Sequence, residues 1–440
     1  MDFQRAHQVF GHDVAMTAAL INDLKWRGAI AQTTDEAELI KHLDTGSRSL
    51  YIGFDPTAPS LHLGNLVQMT MLRRFQLAGH RPIALVGGAT GLVGDPSGRN
   101  SERTLNDEEI VEQWVGRIRQ QLEGFLDFSS GKNAALMVNN LDWTAPISAI
   151  NFLRDIGKHF SVNQMLAKDS VATRLEAGGI SYTEFSYQVL QALDFLELFR
   201  RHDCTLQLGG SDQWGNITAG LDLIRKVTSK SGYALSVPLL TKADGTKFGK
   251  TASGSIWLDP AMTSPYAFFQ FFINSDDRDV EKLLKMFSFK SHEEISALLD
   301  SHQTNPGLRE AHRALAREVT TLIHGADACE SVEAAARALF GQGELQAIDI
   351  ATLAGALAEL PRTEIKGKNA IPTWVDLIVA TGVVESKSAA RRIIKEGGAY
   401  VNNVKVTSED FAPTSNDLIG GRFIVLRKGK RDLAAVEVVA

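Results

Sequence analysis

Cysteine is scarce in this chain: 440 residues hold only Cys204 and Cys329, far apart. Neither a disulfide framework nor a cysteine-rich zinc site can be assembled from them. Long apolar runs are also missing. No stretch of ~18 hydrophobic residues occurs, which excludes a spanning helix, and residues 1–7 lack the basic-then-apolar pattern of a secretory signal. The expected location is the cytoplasm. Neither sign of charge dominates, with 46 Lys and Arg against 52 Asp and Glu and a net charge of -6. A surface coated in positive charge for nucleic acid is therefore excluded for the chain as a whole. No repeat and no low-complexity tract appears. What is present is ordinary globular composition, 44% hydrophobic and 22% charged, and a length that implies two or three domains at roughly 150 residues each.

Composition divides the chain. After an N-terminal extension (1–19), residues 20–262 alternate short apolar runs (49–54, 82–86, 134–138, 205–208) with amphipathic helical stretches (66–78, 107–126, 147–160). Such alternation implies parallel strands joined by right-handed crossovers, hence an α/β doubly wound sheet. Ligands of such sheets bind beyond the carboxyl ends of the strands. Over 263–360 the strand signal vanishes and an α-helical domain is expected. Residues 361–372 read as a linker. The last segment, 373–440, reads as a small α+β domain, with helices at 374–381 and 388–395 and a hairpin across Asn402-Asn403. From Lys387 onward it carries ten Lys and Arg, and residues 422–431 hold five bases and no acid. That cluster suits a phosphate backbone or an ordinary solvated face.

Five clusters carry chemistry. In the first, a strand ends at Phe54, and Asp55-Pro56-Thr57 leads to a helix opening at His62-Leu63-Gly64-Asn65. Helix N-termini offer free N–H groups to anions, and Gly64 permits close backbone approach; a His there also serves as a plain cap. The second, Gly88, Gly91 and Gly94 with Asp95, follows a strand but lacks the dinucleotide fingerprint, which disfavours a nicotinamide dehydrogenase. The third is a helix beginning at Ser181 and Glu184, a capping-box pair. Tyr187, Gln191 and Asp194 share one face of it, suiting a small polar ligand or a solvated face. In the fourth, Gly209-Gly210-Ser211-Asp212-Gln213, the acid can grip a ribose or cap a helix. The fifth, 241–251, misses the P-loop pattern by one position, because 244 is Asp where Gly is required. It leaves a Gly-rich loop with Lys247 and Lys250 able to reach a polyphosphate.

In this order, Tyr51-Ile52-Gly53-Phe54-Asp55-Pro56-Thr57, Gly94-Asp95-Pro96-Ser97-Gly98, Thr183-Glu184-Phe185-Ser186-Tyr187, Gly209 to Asn216 and Lys247-Phe248-Gly249-Lys250-Thr251 resemble the bacterial tyrosyl-tRNA synthetases of class I. Residues 388–402 resemble the RNA-binding domain of small-subunit ribosomal protein four. The resemblance runs from about Leu20 to the C-terminus, leaving residues 1–15 without counterpart and expected to be dispensable. It implies a Rossmann-like catalytic domain, an anticodon-arm helical domain and an RNA-binding domain. It further implies tyrosine contacts from Tyr51, Asp95, Tyr187, Gln191, Asp194 and Gln213. ATP contacts are implied for Gly53, Asp55, Gly64, Asn65, Asp212 and Lys250. Thr57, His62, Lys247, Lys250 and Thr251 are implied in catalysis, and Arg391, Arg392, Arg427 and Lys428 in tRNA binding. Position 65 is Asn where the family signature usually has a second His. ATP with Mg2+, no tightly bound cofactor, no protein-held metal, and a homodimer are the remaining implications. Tryptophanyl-tRNA synthetase is the nearest rival, and Tyr51 with Asp194 favours a phenol over an indole. A non-catalytic RNA-binding protein would not need His62, Lys247 and Lys250.

Overall fold

A computed structural model describes residues 16–97, 107–129, 131–251, 254–367 and 371–439. The first fifteen residues of the expected extension, and the side chain of Thr251, lie outside the described set. Packing divides the chain into two compact units, Met1–Asp259 with Asp276–Ala311, and Pro260–Ser275 with His312–Ala440.

The first unit is built on strands β1 (Gln32–Thr33), β2 (Ser49–Phe54), β3 (Arg81–Val86), β4 (Leu136–Asn139), β5 (Cys204–Gly210) and β6 (Tyr233–Val237). Their order across the sheet is β1-β6-β5-β2-β3-β4. All neighbours run parallel except β1 against β6. Ile83 to Val86 are buried without interruption, as expected of a parallel strand covered on both faces. Connections run outward in opposite directions from the β2–β5 pair, so the crevice beyond the carboxyl ends of these two strands is the topological switch point. A short antiparallel ribbon of β7 (Lys250–Thr251) and β8 (Gly254–Ser255) follows the sheet in the chain.

Three local expectations change. The helix foreseen over 147–160 is an α turn (Ala149–Asn151), a π turn (Phe152–Ile156) and a 3-10 turn (Gly157–His159). In the helix Tyr182–His202, Ser181 does accept the Glu184 N–H at 3.2 Å. The return half of the capping box is missing, because Glu184 is 1% exposed and turns inward to Arg174 at 2.9 Å. A buried carboxylate gains more from a guanidinium than from a single cap N–H. Finally, within the stretch read as a linker, Arg362–Lys366 forms a strand, β9. Its period-two alternation turns Thr363 and Ile365 inward.

The boundary foreseen at 263 also differs from the packing. Residues 276–311 join the sheet unit because two buried arginines bind their backbone. Arg27 donates to the carbonyls of Lys285, Ser288 and Lys290, and Arg74 to that of Ser288 at 2.6 Å.

The second unit contains the helices Pro265–Ile273, Ala326–Leu339 and Ile350–Ala358 and a five-stranded sheet. With β10 (Ala399–Val401), β11 (Val404–Lys405), β12 (Phe423–Lys428) and β13 (Asp432–Val439), the order is β11-β10-β12-β13-β9. Asn402 and Asn403 have φ of 47° and 67°, the left-handed pair that a two-residue hairpin turn needs. Trp374 is fully buried, and Nε1 donates to the Tyr400 carbonyl at 3.1 Å.

The Arg174–Glu184 pair yields a stability test. Arg174→Met strands a buried carboxylate and is expected to cost about 3–5 kcal/mol, measured from the denaturant midpoint. Replacing both residues by apolar ones of similar volume should recover most of the loss.

Candidate active site

The strand ends converge on two carboxylates. Asp194, on the buried face of the Tyr182–His202 helix, is 2% exposed. It accepts Asn140 Nδ2 at 3.0 Å and Trp143 Nε1 at 2.9 Å. Asn140, just past β4, spends its second amide proton on Thr90 Oγ1 at 3.0 Å and accepts the Ala89 N–H at 2.7 Å. Thr90 in turn donates to Asp55 Oδ1 at 2.6 Å, and the Tyr187 hydroxyl donates to Asp55 Oδ2 at 2.7 Å. One chain of hydrogen bonds thus links the ends of β2, β3 and β4 to the helix, and its donors converge on the two carboxylates. Gly87 must be glycine, since a Cβ there would lie 2.1 Å from Asp55 Oδ1.

Two polar atoms in this pocket lack partners among the described residues. The Tyr51 hydroxyl and Gln191 Oε1 are both buried with no hydrogen bond. An unsatisfied buried hydroxyl costs about 1–3 kcal/mol, so the pocket is built for something polar to enter it. Burial, then the nearby Asp194 charge, pushes the Tyr51 phenol well above its ordinary range. Burial and Asp55 do the same for Tyr187. Beside them, Asp95 accepts the Ser97 N–H at 2.9 Å and Gln213 Nε2 at 2.5 Å, and Gln213 Oε1 accepts Asn216 Nδ2 at 3.0 Å.

The helix Leu63–Leu77 opens at the rim. His62 is its N-cap, with Nδ1 accepting the Gly64 N–H at 3.0 Å, while Asn65 Oδ1 accepts the His62 N–H at 3.1 Å. The plain capping reading is therefore correct for Nδ1, and it decides the tautomer. Nδ1 is an acceptor, so in the neutral ring the proton sits on Nε2, which becomes a donor. Burial and the neighbouring Lys250 charge hold the His62 pKa below its usual value, keeping the ring neutral. A Cβ at Gly64 would fall 2.8 Å from His62 Cε1 and displace the ring from its cap. Asn65, foreseen as an ATP contact, uses its carbonyl oxygen in the cap and has its amide left as a donor.

Gly53 and Thr57 are exposed on the same rim. Asp212 is raised by desolvation first and by Asp95 second, with Lys247 opposing. The glycine-rich loop meets the rim at Gly249, where a Cβ would come 2.9 Å from Leu63 Cβ in the first turn of the His62 helix. The Asp55 carboxylate accepts from Thr90 and Tyr187.

The basic residues of the second unit are more evenly paired than the charge count suggests. Arg391 and Lys395 share Glu409, Arg392 pairs with Glu396 and Lys428 with Asp432. The Arg427 guanidinium lies 3.9 Å from the Tyr400 ring centroid. Exposed pairs of this kind contribute little to stability.

Sequence reasoning missed Asn140, Trp143 and Thr90. Asn139-Asn140 ends a parallel strand, where polar residues face the crevice, and that position was the available signal.

Burial raises the Asp194 pKa to about 7 from an ordinary 3.8, with the Asn140 and Trp143 hydrogen bonds opposing. Between these values the folded chain holds a proton that the unfolded chain has released. Its contribution to stability is therefore complete at acid pH and is lost as pH rises through about 7. Asp194→Asn should flatten this part of the profile, which denaturant unfolding of both proteins at pH 5, 6, 7 and 8 measures.

Residues 44–341 match the model of the tRNA synthetases class I (W and Y), and residues 352–436 match the tyrosine–tRNA ligase SYY-like C-terminal domain. The chain is 61% identical over 421 residues to the tyrosine–tRNA ligase of Streptomyces avermitilis, covering 95% of this chain and 99% of that one. It is 59% identical over 421 residues to that of Streptomyces coelicolor, with the same coverage. Among solved structures, a C-terminally truncated mitochondrial tyrosyl-tRNA synthetase from Aspergillus nidulans superposes with a TM-score of 0.66 at 31% identity. That match covers 73% of this chain and 94% of the other. By sequence and by fold, the chain belongs to the tyrosine–tRNA ligases, within the class I tRNA synthetases.

Proposed function

We propose that the network around Asp194 is the tyrosine pocket and that activation and transfer both occur in the crevice above it. The observation that carries this reading is the buried Asp194 carboxylate beside the partnerless Tyr51 hydroxyl. A phenol hydroxyl entering between them donates to Asp194 and accepts from Tyr51. The amino group lies toward Tyr187, Gln191 and Asp95, and the carboxylate toward Gln213. Asp55 moves in this reading from ATP contact to support of Tyr187.

ATP lies on the rim, over Gly53, Gly64, Asn65 and Asp212. A tyrosine carboxylate oxygen attacks the α-phosphorus, the bond to the bridging oxygen breaks, and pyrophosphate leaves. The terminal ribose hydroxyl of tRNA then attacks the activated carbonyl, releasing AMP. No side-chain nucleophile is needed, and donors aimed at developing charge do the work. His62 Nε2–H and Thr57 serve the phosphates under attack; Lys247, Lys250 and Thr251 serve the departing pyrophosphate. The site carboxylates Asp55, Asp95 and Asp194 already accept protein donors, which fits Mg2+ arriving on the ATP phosphates and offsetting their charge there.

Arg391, Arg392, Arg427 and Lys428 form the tRNA surface in this reading. A homodimer belongs to the same reading, and the exposed apolar side chains over 150–182, with Ile150 69%, Val162 59% and Tyr182 71% exposed, offer it a surface. Among the described residues no helix is long and apolar enough to cross a membrane, and the proposed workplace is the cytoplasm.

ATP–pyrophosphate exchange with each amino acid tests the pocket; only tyrosine should support it strongly. Discrimination of ~10⁵ against phenylalanine, without editing, is already known for tyrosyl-tRNA synthetases as a class. Asp194→Asn should lose most exchange activity, and Tyr51→Phe should lose a modest part. Full activity and discrimination in Asp194→Asn would move the phenol site elsewhere.

Because β9 pairs with β13 over five residues, a truncation that tests the tRNA surface must begin at 361 rather than within the following segment. Removing 361–440 should leave exchange nearly intact and greatly weaken charging of tRNA, read by aminoacylation at several salt concentrations.

A further inference from the structure

The loop with Lys247 and Lys250 has a stem, and the stem is fastened. Lys242 N–H donates to Thr246 O at 2.8 Å, and Phe248 N–H to Leu240 O at 3.0 Å, closing a tight hairpin whose tip is Asp244-Gly245. Gly245 has φ of 82°, and Asp244 accepts both donors of Thr246. Beyond the tip, Gly249 lies against the start of the His62 helix. A Cβ there would come 2.9 Å from Leu63 Cβ, at a φ of 80°.

The other side of the stem is held from a distance. Asp279 precedes the helix Val280–Phe287 as its N-cap, yet makes no side-chain cap to that helix. Aspartate at this position ordinarily accepts an N–H of its own first turn. Here the carboxylate, 4% exposed, reaches back 36 residues and accepts the Ala243 N–H at 3.0 Å. Its other oxygen lies 3.3 Å from Lys282 Nζ, and Lys282 donates to the Thr241 carbonyl. One helical turn thus grips both a donor and an acceptor of the stem. Phe248 stands 5.8 Å from Phe287, ring to ring, at the far end of the same helix.

Forgoing its own cap for a loop amide costs the helix some stability, and what it secures is a fixed pivot. Building on the assignment of Lys247 and Lys250 to pyrophosphate, we propose that Asp279, assisted by Lys282, is a positioning residue for the activation step. It fastens the loop stem so that both ammonium groups meet the pyrophosphate as its bond to the α-phosphorus breaks. In the transfer step no pyrophosphate is present, so the latch should not matter there. That separation distinguishes positioning from general support of the fold.

The test uses the full-length protein. Single-turnover formation of tyrosyl-adenylate, tyrosine affinity, and transfer from preformed adenylate to tRNA are measured for Asp279→Ala, Asp279→Asn and Lys282→Ala. Asp279→Ala should slow adenylate formation by roughly ten- to a hundredfold, the scale of one charge-assisted hydrogen bond. Tyrosine affinity and transfer should be unchanged. Asp279→Asn keeps an acceptor for Ala243 and should recover most of the rate. Lys282 is half-buried, its side chain 41% exposed, so Lys282→Ala leaves the fold intact and should slow the same step by a smaller factor. A normal activation rate in Asp279→Ala, or equal losses in all three measurements, would overturn the proposal. So would an Asp279→Asn as slow as Asp279→Ala. Lys250→Ala run in parallel separates the two ideas. If it slows activation while Asp279→Ala does not, the latch fails and the loop assignment stands. If it leaves activation unchanged, the loop assignment fails and the latch as stated falls with it.

Discussion

Everything around the crevice hangs on keeping an acidic group in a place that water does not reach. Asp194 would be a heavy liability on the buried face of its helix, since an isolated charge there is strongly disfavoured. Asn140 and Trp143 reduce that liability by donating to it. In doing so they bind the end of β4 to the Tyr182–His202 helix and leave the carboxylate able to accept one more bond. Asn140 then passes the constraint on through Thr90 to Asp55 and Tyr187. A single polar chain therefore sets the distance between strand ends and helix, and with it the width of the pocket.

That arrangement explains the division of labour in the site. Deep inside, groups are buried, raised in pKa and locked by hydrogen bonds, which favours recognition of a small polar substituent. At the rim the opposite holds. His62 is neutral and presents a proton, helix N–H groups face the crevice, and the lysines stand on an exposed loop. In the proposed reading, such a rim meets the charge that moves from ATP to pyrophosphate. The two halves are built from different elements, a helix with strand ends below and a hairpin with a fastened stem above. Buried polar networks are high-stakes, rigid when complete and costly when partly satisfied, and the ligand proposed here would meet two unpaired atoms, Tyr51 Oη and Gln191 Oε1.

Much of this was legible beforehand, unevenly. The parallel strands, the glycine-rich turns and the Asn402-Asn403 hairpin follow from period and turn chemistry, which act over a few residues. Tyr187, Gln191 and Asp194 could be placed on one helical face because 3.6-residue spacing does that without help. The capping box at Ser181 was half right for an instructive reason. The local donor was correctly read, but Glu184 had a better partner in Arg174, and no local pattern reports a competing partner. The segment 362–366 carried a visible alternation, yet its strand needed the free edge of β13 to become one.

The sequence by itself determined the alternation of strands and helices, the crevice beyond the carboxyl ends of the strands and the residue types that line it. These rest on short-range steric and hydrophobic preferences that each segment carries alone. Only the tertiary structure decided that Asn140 and Trp143 hold Asp194 and that Asp279 serves the loop instead of its own helix. Those choices pair atoms 36 to 54 residues apart, as in Ala243 with Asp279 and Asn140 with Asp194, or settle a competition between two acceptors for one donor. Such outcomes depend on which groups are buried together once the chain has folded, because only there is an unmet hydrogen bond expensive enough to choose between them.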